Sequence, residues 1–368
     1  MGEPHGIGIV GVGFISGAYL DTLVGRDDLR VVAVADIDRA RADEVATTVP
    51  GARALEVAEL LADPAVDTVL NLTIPAAHAE IALGAIAHGK GVYGEKPLAA
   101  TLEEARGIVA AAEAAGVAVG CAPDTVLGTG TQTARAAVEE GLIGRPVSAL
   151  ATWVAPGHEL WHPNPDFYYL DGGGPLLDMG PYYISSLLQI LGPVESVVGS
   201  ASRSRDERVI GSGPRAGEVI PVETETHVMG ILTHTSGALS TITVSFDAVR
   251  TDANNIEIHG ESGSLVVPDP NTFGGDVRLI QLGDEQWRTL PPAAGYVEGS
   301  RGVGLIDYVA TGAHRASGDL ALHALEIMTG ILASAREKRV VTIESRPTIP
   351  PRVPLTPTTS LRPNLNPN

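Results

Sequence analysis

Short apolar runs alternate with helical segments over the first third of the chain. The runs predicted to form buried strands lie at residues 7–10, 31–35, 66–72, 92–95 and 117–120. The segments predicted to form helices lie at residues 16–24, 37–49, 55–61, 76–88 and 102–115. The last of these helices follows a capping box in which Thr101 is paired with Glu104. Because strands and helices alternate at this spacing, residues 1–122 are expected to form an α/β Rossmann domain with a parallel sheet.

From Pro123 onward, strand-like alternation of apolar and polar residues dominates the pattern. Predicted strands lie at 147–154, 194–201, 226–233, 238–247, 255–259, 265–267 and 277–281. Predicted helices lie at 130–140, 176–191 and 319–338. This pattern predicts an α+β second domain over residues 123–345, built on a large, open and mainly antiparallel sheet. Residues 346–368 are rich in proline and are expected to form an extended arm, either disordered or lying on a neighbouring subunit.

The segment after the first strand has the glycine spacing of a dinucleotide-binding turn. Gly11 allows a tight turn, and Gly13 lets backbone N–H groups approach a pyrophosphate at the N-terminus of the next helix. Asp36 ends the second strand, where a carboxylate accepts hydrogen bonds from a ribose and repels a 2′-phosphate, so NAD is favoured over NADP. Arg39 works against that preference, and a glycine turn without any ligand is the alternative. The residues predicted here to contact the cofactor are Gly11, Gly13, Phe14, Ile15, Asp36 and Arg39.

A lysine follows the fourth predicted strand, in the segment Glu95-Lys96-Pro97. In a parallel sheet this position lies at the carboxyl edge, where ligands bind in open α/β folds. We predict that Lys96 lies close to the nicotinamide and holds or polarises a substrate hydroxyl; the alternative is a surface lysine at a strand end. Asp124 and Thr125 follow the last Rossmann strand and are expected to line the same site.

A run of glycines leads into the apolar helix in the segment GGGPLLDMGPYY, residues 172–183. Asp178 and Tyr182 are four residues apart, so both project from one helical face. A carboxylate and a phenol on that face can share a substrate hydroxyl together with Lys96. The alternative is that Asp178 caps the helix and Tyr182 is a core aromatic residue.

The loop at residues 157–163 holds two histidines and a tryptophan. His158 and His162 are of a metal-binding type, but no cysteine or third ligand accompanies them, and we expect no metal. We predict that His158, Trp161 and His162 line the substrate site, with Trp161 stacking on the face of a sugar. A purely structural loop is the alternative.

Composition narrows the classes of partner and compartment. The chain has 368 residues and a formal net charge of −19, which argues against nucleic acid and anionic membranes as partners. Cys121 is the only cysteine, so an internal disulfide and a thiolate metal cluster are excluded. The sequence has neither a signal-peptide pattern nor an apolar run of the ~18 residues that span a bilayer, so a cytoplasmic location is expected.

The glycine turn, Asp36, Glu95-Lys96-Pro97 and the glycine-led helix together resemble the glucose–fructose oxidoreductase/inositol dehydrogenase (Gfo/Idh/MocA) family. The resemblance covers roughly residues 5–345 in order and spacing. It implies a Rossmann domain followed by an open sheet that often serves as an oligomer interface, hence a homodimer or homotetramer. It also implies that Lys96 is catalytic, that the Lys96–Pro97 peptide is cis, and that the cofactor contacts extend to Thr73, Pro75, His78, Glu95 and Lys96.

One position departs from the pattern of many family members, which carry histidine where this chain has Tyr182. Some sugar and diol oxidoreductases of the family that this chain resembles also have tyrosine there, so the resemblance still implies activity. Because a nearby ammonium group favours a phenolate, we predict that Tyr182 and Lys96 form a proton-transfer pair, with Asp178 orienting the substrate or the lysine.

The resemblance implies NAD-dependent hydride transfer between the nicotinamide and a carbinol or keto carbon of a sugar, an inositol or a glycoside. The substrate is expected to lie between the carboxyl edge of the Rossmann sheet and the helix that carries Asp178 and Tyr182. Two alternatives stay open. One is a redox-neutral enzyme that retains NAD and oxidises a sugar transiently, and the other is a non-catalytic protein that senses NAD or a sugar.

Overall fold

The computed structural model describes residues 3–312 and 314–357. Contacts within the chain divide it into two compact units. The first unit comprises Met1–Thr129, Ala294–Leu322 and Pro350–Asn368, as far as these are described, and the second comprises Gly130–Ala293 and His323–Ile349.

The helices, in chain order, are α1 Ser16–Leu23, α2 Arg39–Thr48, α3 Val57–Ala62, α4 Pro75–Ala87, α5 Leu102–Ala115, α6 Thr129–Glu139, α7 Pro175–Leu191, α8 Val303–Thr311 and α9 Gly318–Glu337. The strands of the first unit are β1 His5–Val10, β2 Leu29–Ala35, β3 Arg53–Ala54, β4 Thr68–Asn71, β5 Gly91–Gly94 and β6 Val119–Cys121. Those of the second are β7 Pro146–Val154, β8 Val194–Ser202, β9 Glu207–Val209, β10 Val219–Pro221, β11 His227–His234, β12 Leu239–Ser245, β13 Ile256–Gly260, β14 Gly263–Val267, β15 Val277–Gln281, β16 Arg288–Leu290 and β17 Val341–Thr342.

The first unit contains a parallel sheet in the order β3-β2-β1-β4-β5-β6, which confirms the predicted Rossmann fold. Its central strands are buried, and β1 and β2 are mainly apolar on both faces, as strands between two helical layers require. The predicted capping box at α5 is present, with Thr101 and Glu104 each satisfying the other's backbone N–H. The strand order reverses beside β1, so the carboxyl ends of β1 and β4 border a crevice of the kind that binds ligands.

The first unit also contains segments that the sequence analysis had assigned elsewhere. Residues 294–322 were expected in the second domain, but they pack with the Rossmann strands and include α8. The described part of the proline-rich arm pairs with its own chain: the Gly295 N–H donates to the Val353 carbonyl at 3.0 Å, and the Thr356 N–H donates to the Gly295 carbonyl at 3.0 Å. Such long-range pairing has no periodic sequence signal. Residues 358–368 of the predicted arm lie outside the described residues.

The second unit contains a large mixed sheet in the order β16-β15-β14-β13-β7-β12-β11-β8-β17. Its neighbours pair antiparallel except β7 and β12, which are parallel, so the predicted open and mainly antiparallel sheet is confirmed. Helix α9 lies close against one face: a Cβ atom on Gly230 would lie 2.9 Å from the Cδ1 atom of Ile331. On the opposite face, strand alternation exposes apolar side chains, which we call the outer face: Leu150, Val198, Met229, Ile231 and Leu239.

A separate aromatic cluster lies under the short β9–β10 hairpin, which the sequence analysis did not predict. The buried members of this cluster are Tyr169, Ile210, Ile220, Val222 and Phe246. Strands of three residues carry too little alternation to be recognised from sequence. Among the described residues, no helix has the length and apolar character needed to cross a bilayer.

Candidate active site

The turn between β1 and α1 has the backbone geometry that its glycines predicted. Gly11 has φ +90°, and a Cβ atom there would lie 2.7 Å from the carbonyl carbon of Leu72. At Gly13 a Cβ atom would meet nothing within 4 Å, so the backbone faces open space. Ser16 begins α1, and its hydroxyl donates to the Gly13 carbonyl at 2.7 Å. Ser16 is buried, as the small residue at this position of the turn must be.

Asp36 is fixed by two backbone donors. The Val12 N–H donates to its Oδ2 atom at 2.8 Å, and the Asp38 N–H donates to its Oδ1 atom at 2.9 Å. The carboxylate therefore joins the end of β2 to the glycine turn. Arg39, which the sequence analysis had placed among the cofactor contacts, is paired with Asp43 and Glu56 at 3.0 Å each.

A different arginine lies beside Asp36. The Nη1 atom of Arg41 is 3.8 Å from the Oδ1 atom of Asp36, although the sequence analysis did not select Arg41. Both arginines lie within five residues of Asp36, so the sequence alone does not show which of them approaches its carboxylate. The direction of α2 decides this in the folded chain.

Large apolar side chains are fully exposed around the glycine turn. Phe14 and Ile37 are exposed to about the extent of isolated residues, at 104% and 103%, and Ile74 is largely exposed as well. Phe14 was predicted to contact the cofactor, whereas Ile37 was missed despite its place directly after Asp36. Pro75 begins α4 at an exposed position, and Ile15 is half-buried. Together with the open backbone at Gly13, these side chains fit a dinucleotide, whose adenine and nicotinamide rings bury apolar surface.

Lys96 follows β5 at the carboxyl edge of the sheet, and the Lys96–Pro97 peptide is cis, as predicted. The preceding carboxylate is held from two sides. The Tyr19 hydroxyl donates to Glu95 Oε1 at 2.8 Å, and the Lys96 N–H donates to Glu95 Oε2 at 3.1 Å. Burial raises the pKa of Tyr19 well above its usual value, and the charge of Glu95 raises it further, so this phenol is a hydrogen-bond donor. Glu95 and Lys96 are half-buried.

His78 and Thr73 support this edge. Both ring nitrogens of the buried His78 face carbonyl oxygens: Nδ1 lies 2.6 Å from that of Pro97, and Nε2 lies 3.0 Å from that of Thr73. The Thr73 hydroxyl donates to Asn71 Oδ1 at 2.6 Å. His78 was predicted to contact the cofactor, but its ring instead connects the end of β4 to the segment after Lys96.

Asp124 and Thr125 were predicted to line the substrate site, and both are fully buried. The Oδ2 atom of Asp124 accepts the N–H groups of Gly302 and Gly304 at 2.8 and 3.2 Å, where α8 begins. Burial, the largest cause, raises the pKa of Asp124 to about 6, while Arg301 and the two N–H donors lower it. Asp124 therefore caps α8 below the surface. This role has no local sequence signal, because the sequence pattern predicts no helix at α8.

In the second unit, α7 carries Asp178 in its first turn and Tyr182 one turn later, as the spacing predicted. Asp178 Oδ2 lies 3.0 Å from His158 Nε2, and the indole N–H of Trp161 donates to His158 Nδ1 at 3.2 Å. The structure thus brings together three of the predicted residues from two segments. Tyr182 is buried, with 6% of its surface exposed.

The loop that contains Trp161 presents aromatic surface. Trp161 and Phe167 are 59% and 57% exposed, and the ring of His162 contacts both edge-to-face, with centroids 5.4 and 5.5 Å away. Exposed indole and phenyl faces are surfaces on which a sugar ring can stack. Within residues 3–312 and 314–357, no group of three or more His, Cys, Asp or Glu side chains is arranged to hold a metal ion.

A Rossmann unit with a glycine turn, an acidic residue after β2 and a lysine at the strand edge defines the class of NAD-binding oxidoreductases. Residues 5–122 match the model of the oxidoreductase family with an NAD-binding Rossmann fold, and residues 131–266 match the GFO/IDH/MocA C-terminal domain. The chain belongs to the Gfo/Idh/MocA family of oxidoreductases, which confirms the predicted resemblance.

Several relatives are named for reactions on polyhydroxylated rings. A 1,5-anhydro-D-fructose reductase from Ensifer adhaerens is 32% identical over 251 residues, which are 66% of this chain and 70% of that protein. A myo-inositol 2-dehydrogenase from Thermotoga maritima is 29% identical and matches 76% of this chain and 78% of that protein. An NADP-dependent scyllo-inositol 2-dehydrogenase from Bacillus subtilis is 22% identical over 92% of this chain and 96% of that protein.

Solved structures share the fold. An NAD-binding oxidoreductase from Klebsiella pneumoniae superposes with a TM-score of 0.80 at 25% identity, covering 93% of this chain and 99% of that one. A levoglucosan dehydrogenase in complex with NADH has a TM-score of 0.77 at 22% identity, covering 93% of this chain and 100% of that one.

Proposed function

We propose that this chain is an NAD-dependent oxidoreductase that transfers a hydride between the nicotinamide and a carbinol or keto carbon of a sugar, an inositol or a glycoside. The observation that carries the proposal is Lys96 at the carboxyl end of β5, in the sheet whose β1 leads into the glycine turn. Relatives named for 1,5-anhydro-D-fructose, myo-inositol, D-xylose and levoglucosan support a polyhydroxylated ring as the substrate.

The proposed reaction assigns separate roles to the residues that hold the cofactor and to those that contact the substrate. The residues that hold the dinucleotide are Gly11, Gly13, Phe14, Ile15, Asp36, Thr73, Pro75 and Glu95. Bound NAD supplies the acceptor, or as NADH the donor, of the hydride. Lys96 holds the reacting hydroxyl and, with Tyr182, takes up or returns its proton. Asp178 orients that hydroxyl, and Trp161 stacks on the ring of the substrate.

The first test is the near-ultraviolet absorbance of NADH in the presence of myo-inositol, D-xylose or levoglucosan with NAD, and of 1,5-anhydro-D-fructose with NADH. A substrate-dependent change is the expected result and identifies the substrate class. A flat trace from a protein that releases NAD on denaturation would favour the redox-neutral alternative. A flat trace from a protein that is purified without cofactor, yet binds added NAD and a sugar, would favour a sensor.

We propose that NAD is preferred over NADP because the Asp36 carboxylate stands where a 2′-phosphate would bind. Replacing Asp36 by serine removes that charge, and Arg41, 3.8 Å away, then favours the phosphate. The ratio of kcat/KM for NAD to that for NADP is expected to fall by about 10- to 100-fold, the value of one or two hydrogen bonds to a charged group.

Asp21→Asn is the matched control for the cofactor test, because Asp21 is an exposed carboxylate on α1. This variant should leave the cofactor ratio unchanged. An Asp36→Ser variant with the ratio of the unaltered protein would contradict the role of Asp36.

We propose that a second copy of this chain covers the outer face in a homodimer or homotetramer, in the cytoplasm. Five apolar side chains on adjoining strands are more than isolated exposed residues, and a self-complementary patch is the usual dimer contact. Ile231→Arg places a charge at the centre of this face and is expected to convert the oligomer to a smaller species in light scattering after size exclusion. Val249→Arg, at an exposed loop position, is the control. A monomeric unaltered protein would refute this assembly.

A further inference from the structure

Three side chains of the second unit form a directional hydrogen-bonded array. The indole N–H of Trp161 lies 3.2 Å from Nδ1 of His158, and Nε2 of His158 lies 3.0 Å from Oδ2 of Asp178. An indole nitrogen can only donate, so Nδ1 of His158 must accept. The proton of a neutral imidazole is then on Nε2, from which it is donated to the carboxylate of Asp178.

The ring of His158 is enclosed by other aromatic rings. The rings of Tyr168 and Phe246 lie with their centroids 4.5 and 4.6 Å from that of His158, and the ring of Trp153 lies at 5.8 Å. Only 9% of the His158 side chain is exposed, against 18% of the Asp178 side chain. The imidazole is therefore more deeply buried than the carboxylate, and its contacts leave it little freedom to rotate.

The backbone at His158 is anchored by buried charges. The His158 N–H donates to the Tyr169 hydroxyl at 3.0 Å, and that hydroxyl donates to the carboxylate of Glu159. Glu159 pairs with Arg208 at 2.8 Å, and Arg208 also pairs with Asp247. All of these groups belong to the second unit.

The glycine run before α7 brings the two segments together. A Cβ atom on Gly173 would lie 2.5 Å from the carbonyl oxygen of Phe167, and Gly174 has φ +92°. Residues with side chains could adopt neither the contact nor the conformation without strain. The glycines thus allow the loop that contains Phe167 to pack against the N-terminal end of α7, where Asp178 lies in the first turn.

We propose that His158 is a positioning residue for Asp178, held in the Nε2–H tautomer by Trp161. This inference rests on the proposed function and deepens it. His158 fixes one oxygen of Asp178 and thereby the direction in which the carboxylate meets a substrate hydroxyl. Trp161 has two roles, because the indole that holds the tautomer also presents the exposed face on which the sugar stacks.

Two substitutions at His158 separate the loss of its hydrogen bond to Asp178 from a change in side-chain volume. His158→Phe keeps an aromatic ring in the aromatic enclosure but removes the donor, and kcat is expected to fall about 10- to 100-fold with an unchanged Kd for NAD. His158→Gln carries an amide N–H where Nε2 lies and is expected to recover most of that loss. His88→Gln, at the exposed end of α4, is the control and should keep full turnover.

A spectroscopic readout tests the array without any substrate. The chain has ten histidines, so nitrogen-15 NMR of the full-length protein with labelled histidine can assign the His158 signals by their absence in His158→Gln. The expected signature is a neutral Nε2–H ring. Trp161→Phe removes the hydrogen bond to Nδ1 and should shift the Nδ1 resonance of His158, while Nε2 keeps its proton because Asp178 still accepts it.

The outcomes separate this inference from the proposed function. An Nδ1–H ring in the unaltered protein, or full turnover in His158→Phe, would overturn the inference. If His158→Phe does not fold, full loss of activity in a folded His158→Gln would count against it equally. An Nε2–H signal in a protein that binds NAD but turns over none of the four carbohydrate probes would support the array and count against the proposed function.

Discussion

Replacing Lys96 by methionine is expected to lower kcat by about 100- to 10,000-fold, the usual contribution of a proton-transferring side chain. Methionine keeps the length of the side chain and removes the ammonium group, so the effect isolates charge and proton transfer. The Kd for NAD, measured by calorimetric titration, should stay close to that of the unaltered protein, because the glycine turn and Asp36 are unchanged. Lys338→Met is the matched control, since Lys338 is an exposed lysine of the second unit.

The same experiment extends to Tyr182, the proposed partner of Lys96. Tyr182→Phe should lower turnover far more than it lowers affinity for NAD. If the two groups act on one proton, the double variant should be little worse than the poorer single variant, because residues that act as a unit are not additive. Fully additive losses would contradict the coupled pair, and unchanged turnover in either single variant would remove that residue from the mechanism.

Replacing Arg208 by methionine is expected to lower the free energy of unfolding of the second unit by about 3–5 kcal/mol. The substitution leaves the carboxylates of Glu159 and Asp247 without their counter-ion. The side chain of Arg208 is 1% exposed, and those of its partners Glu159 and Asp247 are 3% and 15% exposed. Methionine fills a similar volume, so the loss reports on charge and not on a cavity.

Urea unfolding followed by tryptophan fluorescence measures this effect in the intended unit. The three tryptophans of the chain are Trp153, Trp161 and Trp287, and all three lie in the second unit. Arg145→Met is the control, since Arg145 and its partner Glu261 are 65% and 55% exposed, and exposed pairs contribute little. If Arg208→Met and Arg145→Met unfold at the same urea concentration, the buried ion pairs of Arg208 do not contribute the expected free energy of unfolding.

Local sequence patterns were sufficient for most of the fold and for the outline of the site. The spacing of Gly11 and Gly13, the capping box at Thr101 and the four-residue interval between Asp178 and Tyr182 each specify geometry within a few residues. Because the chain alternates regularly, the parallel sheet followed directly from the order of these elements.

Long-range contacts could not be predicted in the same way. Asp124 follows the last strand of the parallel sheet, where a polar side chain is expected to be exposed, yet backbone groups about 180 residues later in the chain bury it. His78 likewise has both ring nitrogens against carbonyls that only the folded chain brings near. The one sequence feature near the pairing of His158 with Asp178 is the glycine run at 172–174, and in the structure Gly173 packs against the backbone of Phe167 and Tyr168.

The division of the first unit into three separate segments has a consequence for how the protein is made. The ribosome releases the strands of the parallel sheet first, but Gly302 and Gly304, which satisfy Asp124, emerge only after the main body of the second unit. Val353 and Thr356, which pair with Gly295, emerge later still. The first unit, whose parallel strands are synthesised before the second unit, is therefore the one whose packing is completed last.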